Sequence, residues 1–273
     1  MKTITFIGTG NMASAIINGM LSADYRAETI TVYDKFAEKA ASFAERGVNV
    51  APTLADACNA SEFILLAVKP QNYAEVLAEV AESGIDINKK VFISIAAGIS
   101  TEAVSKMLGH DAAVVRCMPN TPLQIGHGVT ALCKNAAVSD EDFELVRDIF
   151  NSAGMTLSLD ESQLNTVICA NGSSPAYFYY FIDAMVRSAK AQGLECDDKT
   201  LLEAVCRTVI GSAEMLMASD KTPAELIRAV TSPNGTTERA MNIFYAEKTD
   251  ETIDRAMRAC TERAEEMSKA FGA

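Results

Sequence analysis

The first 116 residues alternate short apolar runs with longer stretches whose apolar positions recur at helical spacing. The runs predict strands over 2–7, 29–33, 48–50, 62–68, 91–95 and 112–115. The stretches between them predict helices over 11–21, 36–46, 53–58, 72–82 and 101–108. Strand 62–68 carries Phe63-Ile64-Leu65-Leu66-Ala67-Val68, apolar at every position, as a strand buried on both faces must be. Such β-α repetition implies a doubly wound parallel sheet. Pro119 and Pro122 then bracket Asn120-Thr121 and fix an extended loop that cannot continue a central strand. A strand over 128–133, a helix over 139–151 and a strand over 155–159 extend the sheet. Ser139 reads as the cap of that helix, and Asp140, Glu141 and Asp142 as first-turn acids that serve the cap, not catalysis.

After Asp160 the pattern becomes wholly helical, which places a domain boundary near residue 161. Ser174-Pro175 opens a helix as cap and first residue, and Gly193 closes it. Its start, Ala176-Tyr177-Phe178-Tyr179-Tyr180-Phe181-Ile182, is apolar on all sides and predicts burial on all sides. Another helix covers 198–217, and Thr222-Pro223-Ala224-Glu225 is a capping box for a short one. A polar turn, 230–238, leads into the next helix. In the last helix, about 250–270, Ile253, Met257, Cys260, Ala264, Met267 and Phe271 form an apolar seam for a helix of this chain or of a partner.

The chemistry begins at the first strand. It runs into Gly8-Thr9-Gly10-Asn11-Met12-Ala13, the pattern G-x-G-x-x-A of a Rossmann-type dinucleotide site. Gly8 lets the chain turn tightly off the strand. Gly10 has no Cβ, so a pyrophosphate can approach the backbone. Ala13 lets the next helix lie close to the sheet, and Asn11 and Met12 begin that helix, whose N–H groups face the phosphates. The motif alone is weak and could be a structural turn. Its place between a strand and a helix is the confirming context. Asp34 ends the second strand, where an acid takes the ribose 2′-hydroxyl and favours NAD; Lys35 follows and suits the 2′-phosphate of NADP. The two point opposite ways, and the choice of cofactor stays open on chemistry alone. Val68-Lys69-Pro70 and Ala96-Ala97-Gly98 lie at strand ends on the same rim, with room for a ribose and a nicotinamide, though ordinary turns have the same composition.

Charge and composition narrow the partners. The chain has 273 residues, 49% of them hydrophobic, enough for a large core and two domains. Its net charge of −12 is spread along both halves and argues against a nucleic-acid partner. No long uncharged apolar run predicts a membrane span, and no signal peptide is visible, so a cytoplasmic setting is expected. Seven cysteines without metal-type spacing predict reduced thiols, mostly buried. His110 and His127, the two histidines, have no partner at ligand spacing, so no metal site is expected.

Six motifs occur in order: Gly8 to Ala13; Ala67-Val68-Lys69-Pro70-Gln71; Ser94-Ile95-Ala96-Ala97-Gly98; Arg116 with Met118-Pro119-Asn120-Thr121-Pro122; Gly172-Ser173-Ser174-Pro175-Ala176-Tyr177; and Ser232-Pro233-Asn234-Gly235-Thr236-Thr237. Together they resemble pyrroline-5-carboxylate reductase along essentially the whole chain, the last motif being the specific one. The resemblance implies a dinucleotide-binding domain over 1–160 and a helical substrate-binding and dimerisation domain over 161–273. It implies reduction of 1-pyrroline-5-carboxylate to L-proline by a homodimer or higher oligomer, with NADP the favoured cofactor and NAD possible. It brings Asn120 to the cofactor. Ser232, Asn234, Gly235, Thr236 and Thr237 would hold the substrate carboxylate, and Thr237 would also serve the ring nitrogen as the catalytic residue. Asn234 stands where the family usually has a second glycine, and Asn tolerates a left-handed backbone better than most. Asn171 stands where a small serine is commoner.

An absence agrees. No Lys lies between Lys134 and Lys190, and no His follows His127. A hydroxyacid dehydrogenase needs such an acid-base group early in its second domain. A cyclic imine can arrive already protonated. The rival expectations are a reductase of another cyclic imino acid, such as a piperideine carboxylate, and a dinucleotide sensor without turnover.

Overall fold

The computed structural model describes residues 2–271. Its strands are β1 (Ile4–Ile7), β2 (Ile30–Tyr33), β3 (Asn49–Val50), β4 (Phe63–Leu66), β5 (Val91–Ser94), β6 (Ala113–Met118), β7 (Gly128–Lys134) and β8 (Gly154–Ser158). They form one sheet in the order β3-β2-β1-β4-β5-β6-β7-β8. The first six run parallel, which requires a crossover between each pair in sequence. Helices α1 (Asn11–Ser22), α2 (Ala37–Ala44), α3 (Leu54–Ala60), α4 (Tyr73–Glu82) and α5 (Thr101–Leu108) supply these crossovers. Alternate residues of one strand feed the two faces. Phe63 and Leu65 join one core cluster, Ile64 and Leu66 the other, and all four are buried.

The sheet is not parallel throughout. β7 is antiparallel to β6, and β8 pairs parallel with β7 through α6 (Asp140–Asn151). Only a 3-10 turn, Thr121–Ile125, connects β6 to β7, too short for a parallel crossover. β6 also runs further than its apolar run suggested. Arg116, Cys117 and Met118 continue the strand because β7 supplies them with partners at Cys133, Leu132 and Ala131. Pro119 is where it ends.

The remaining helices are α7 (Ser174–Ala191), α8 (Asp198–Met217), α9 (Pro223–Val230), α10 (Thr236–Ala246) and α11 (Thr249–Ala270). Thr222 and Glu225 form the expected capping box of α9. Ser174 is not a cap: it lies inside α7, and its hydroxyl donates to the Ala170 carbonyl at 2.6 Å. By compactness the chain divides after Pro175, and it rejoins the sheet unit at Ala259. The sequence alone put the division near 161. The difference has a physical cause: Leu164, Ile168 and Ala264 bury themselves with Met118, Ala131 and Cys133 of the sheet. Segment 176–258 is a separate helical unit. In it α7 is not buried within the chain as expected; Phe178, Tyr179, Tyr180 and Phe181 are 42–68% exposed.

Candidate functional site

Gly8 must be glycine. Its φ is +96°, and a Cβ there would meet the Ala67 carbonyl oxygen at 2.9 Å. Its N–H donates to the Tyr33 carbonyl at 2.7 Å, joining the turn to the end of β2. Gly10 is different. Its φ of −69° suits any residue, and an added Cβ meets nothing within 4 Å. What Gly10 preserves is open space, on the wall of a cavity of about 650 Å3. Asn11 and Met12 are the first two residues of α1 and do not line the cavity; nor does Ala13, which is fully buried in the core. No side chain caps α1, and no acid lies in its first turn, so its leading N–H groups suit an anion.

The same cavity is lined by Asp34, Lys35, Val68 and Lys69 of the sequence-derived set, by Gln71 of the second motif, and by Lys39, Glu75 and Glu79, which the motifs did not single out. Asp34 is tied to the glycine turn. Its Oδ2 accepts from the Thr9 N–H and from the Thr9 hydroxyl, both at 2.9 Å, and its Oδ1 accepts from the Phe36 N–H at 3.0 Å. Partial burial pushes its pKa up, but these donors and nearby Lys39 outweigh it and hold the carboxyl below its ordinary value. The expected rivalry between Asp34 and Lys35 is thereby eased, because Asp34 is engaged with protein.

Pro70, Ala96, Ala97, Gly98 and Asn120 do not line this cavity. Pro70 begins a 3-10 turn before α4. Ala96 is buried. Ala97 packs against the Met118 cluster. Gly98 has φ +78°, and a Cβ there would meet Met267 Cβ at 2.9 Å, so its smallness admits the end of α11. Asn120 is buried and uses both ends of its amide on backbone: Nδ2 donates to Asn171 O at 3.1 Å, and Oδ1 accepts from Val129 N–H at 2.9 Å. Asn171 in turn donates to the carbonyls of Met118 and Val129. Its Nδ2 is thus satisfied, whereas its buried Oδ1 has no hydrogen-bond partner among the described residues.

Two supports of the β4 and β5 ends were not legible as site features. The Tyr73 hydroxyl, fully buried beneath them, donates to the Leu66 carbonyl at 2.9 Å and lies 3.1 Å from Ser94 Oγ; burial pushes its pKa well up. Glu161 accepts from the Thr101 N–H and hydroxyl, both at 2.7 Å, at the start of α5. Arg116 lies 3.7 Å from Glu161 and donates to Asn165, which donates to Ser268 of α11. Arg116 is thus an internal tie. Neither device leaves a local sequence signal, since each pairing is set by tertiary packing and not by a fixed spacing.

In the helical unit, Ser232 to Thr237 forms a tight turn into α10, with Gly235 N–H donating to Ser232 O at 2.9 Å. Asn234 adopts φ +59°, the left-handed conformation the turn needs. Its N–H is taken: Glu238 accepts it at 2.9 Å. The N–H groups of Asn234 and Gly235 are therefore engaged, whereas the hydroxyls of Ser232, Thr236 and Thr237 have no hydrogen-bond partner among the described residues. No cluster of three or more metal-ligating side chains occurs among the described residues, and no helix there is long and apolar enough to cross a membrane.

Residues 161–267 match the family model for pyrroline-5-carboxylate reductase dimerisation, and residues 3–98 match the one described as NADP oxidoreductase, coenzyme F420-dependent. The pyrroline-5-carboxylate reductase of Haemophilus influenzae is 39% identical over 272 residues, covering 99% of both chains. The solved structure of the Coxiella burnetii pyrroline-5-carboxylate reductase matches with a TM-score of 0.89 at 31% identity, covering 98% of each chain. That of the Plasmodium falciparum enzyme, with NADP bound, matches with a TM-score of 0.87 at 27% identity over 98% of each chain. The chain belongs to the pyrroline-5-carboxylate reductase family.

Proposed function

We propose that the chain reduces 1-pyrroline-5-carboxylate to L-proline, with NADPH preferred over NADH, as a homodimer in the cytoplasm. The first turn of α1 would hold the pyrophosphate, and the open side of Gly10 is the space it fits. Lys35 and Lys39 would face a 2′-phosphate. When bound, the cofactor supplies a hydride from its nicotinamide to the imine carbon.

The observation that carries the substrate reading is the turn at 232–237, with three unpartnered hydroxyls at the start of a helix. Ser232 and the backbone of Thr236 and Thr237 would hold the carboxylate without a fixed cation. The Thr237 hydroxyl would orient the ring nitrogen. A protonated imine needs no further acid, which fits the lack of Lys from 135 to 189 and of His after 127. Asn234 would contribute its left-handed backbone, and its N–H only when Glu238 moves away.

The test is nucleotide oxidation with 1-pyrroline-5-carboxylate against a piperideine carboxylate, with proline measured as product. Proline formation with faster turnover of the five-membered ring is the expected outcome. Preference for the six-membered ring would reassign the substrate, and cofactor binding without oxidation would make the chain a sensor.

A further inference from the structure

We infer that Glu75 sets how strongly the chain prefers a 2′-phosphorylated dinucleotide, by holding the Lys35 ammonium that the phosphate needs. The inference rests on the reading above, in which the cavity beside Gly10 takes the adenosine end of the cofactor.

Two charged walls face each other across that cavity. One carries Lys35 and Lys39, at the end of β2 and on α2; the other carries Glu75 and Glu79 on α4. Lys35 Nζ lies 3.4 Å from Glu75 Oε1. Three bases (Lys35, Lys39, Lys69) and three acids (Asp34, Glu75, Glu79) line the cavity, so their formal charges cancel. A phosphate monoester brings roughly −1.5 to −2 charges near pH 7 into this balance.

Of the three acids, Asp34 is spent on Thr9 and Phe36, and its carboxylate stays on the glycine turn. Lys39 already lies over the Phe36 ring, 4.6 Å from its centroid. Of the three lysines, Lys35 alone is ion-paired with an acid among the described residues, and Glu75 is its partner. Both side chains are more than two-thirds exposed, so the pair contributes little to stability. Its effect is on whatever shares the cavity. A ligand bearing a 2′-phosphate must displace Glu75 from Lys35, whereas one bearing a 2′-hydroxyl need not.

The test uses the full-length protein and two fragments that differ by the one phosphate: 2′,5′-ADP and 5′-AMP. Calorimetric titration gives their affinities for the native protein, Glu75→Gln, Lys35→Ala and the double variant. Glu75→Gln should tighten 2′,5′-ADP about threefold to tenfold and move 5′-AMP less than about twofold. The gain should shrink in 1 M salt, where the Debye length is about 3 Å. Lys35→Ala should weaken 2′,5′-ADP selectively, and adding Glu75→Gln to it should bring no tightening. An unchanged ratio of the two affinities in Glu75→Gln overturns the inference. So does a gain that survives the loss of Lys35. If Lys35→Ala leaves 2′,5′-ADP untouched, the assignment of Lys35 fails and the inference with it. If neither fragment binds the native protein, the cavity reading itself is at fault.

Discussion

At the scale of single residues, the turn at 232–237 carries the sharpest expectations. Thr237→Ala removes one hydroxyl and keeps the backbone donors. Steady-state kinetics should show kcat/KM falling about 10- to 150-fold, the worth of a hydrogen bond that strengthens in the transition state, with Thr237→Ser recovering most of it. A change within about twofold, near the limit at which a lost hydrogen bond can be claimed, would leave Thr237 without a catalytic role. Ser232→Ala should raise KM for the imino acid more than it lowers kcat, since the carboxylate is the same in ground and transition states. Glu238→Gln concerns a residue that the sequence did not mark. Its carboxylate holds the Asn234 N–H, next to the place proposed for the substrate's own carboxylate. Neutralising it should lower KM by a few-fold, on the order of one weak like-charge contact; an unchanged or higher KM would show that Glu238 does not oppose the substrate. Asp34 gives a pH expectation. Its folded pKa is depressed, so its contribution is present above the unfolded value, about 3.9, and is lost as pH falls through the folded one. Asp34→Asn should therefore cost stability near neutrality and flatten the acid limb of a stability-against-pH profile. The residues legible beforehand were those whose chemistry is local: the glycines of the fingerprint, and Asn234 with its tolerance of positive φ. The internal bonds of Asn120 were not legible, because its amide meets the backbone of Val129 on the neighbouring strand and of Asn171, which lies 51 residues on.

At the scale of elements, periodicity located nearly every strand and helix, because burial of both sheet faces leaves a clear apolar record. It missed what pairing decides. The end of β6 is polar at Arg116 yet remains strand, since β7 provides the ladder. The direction of β7 depends on the length of a loop, not on any apolar pattern. Two glycines separate structure from binding. Gly10→Val should keep the fold and lose nucleotide binding, because its side chain enters open space. Gly98→Ala should do the reverse first. Its positive φ and the 2.9 Å approach to Met267 should cost on the order of 1–3 kcal/mol in denaturant unfolding. Wild-type stability in Gly98→Ala would mean that α11 yields without cost.

At the scale of the molecule, the aromatic start of α7 is the largest discrepancy between pattern and single chain. Its apolar residues are exposed, and the family model matched there is a dimerisation module. Sedimentation should find a dimer or larger at micromolar concentration, and Phe178→Asp with Tyr180→Asp should shift it towards monomer. A monomeric native protein would sink the expectation. The domain boundary was legible only as a change of pattern near 161; that the chain comes back to the sheet unit at Ala259 is a matter of tertiary contact. Where it leaves and where it returns are adjacent, since Cys260 Sγ and Ser173 Oγ lie 3.2 Å apart. The helical unit is therefore an insertion on a closed stem, and both ends of the described chain belong to the host. A protein engineer could treat that stem as a splice point. Joining Pro175 to Ala259 through a few glycines should yield a small protein that keeps the sheet and its glycine turn, and a foreign helical module could be set on the same stem.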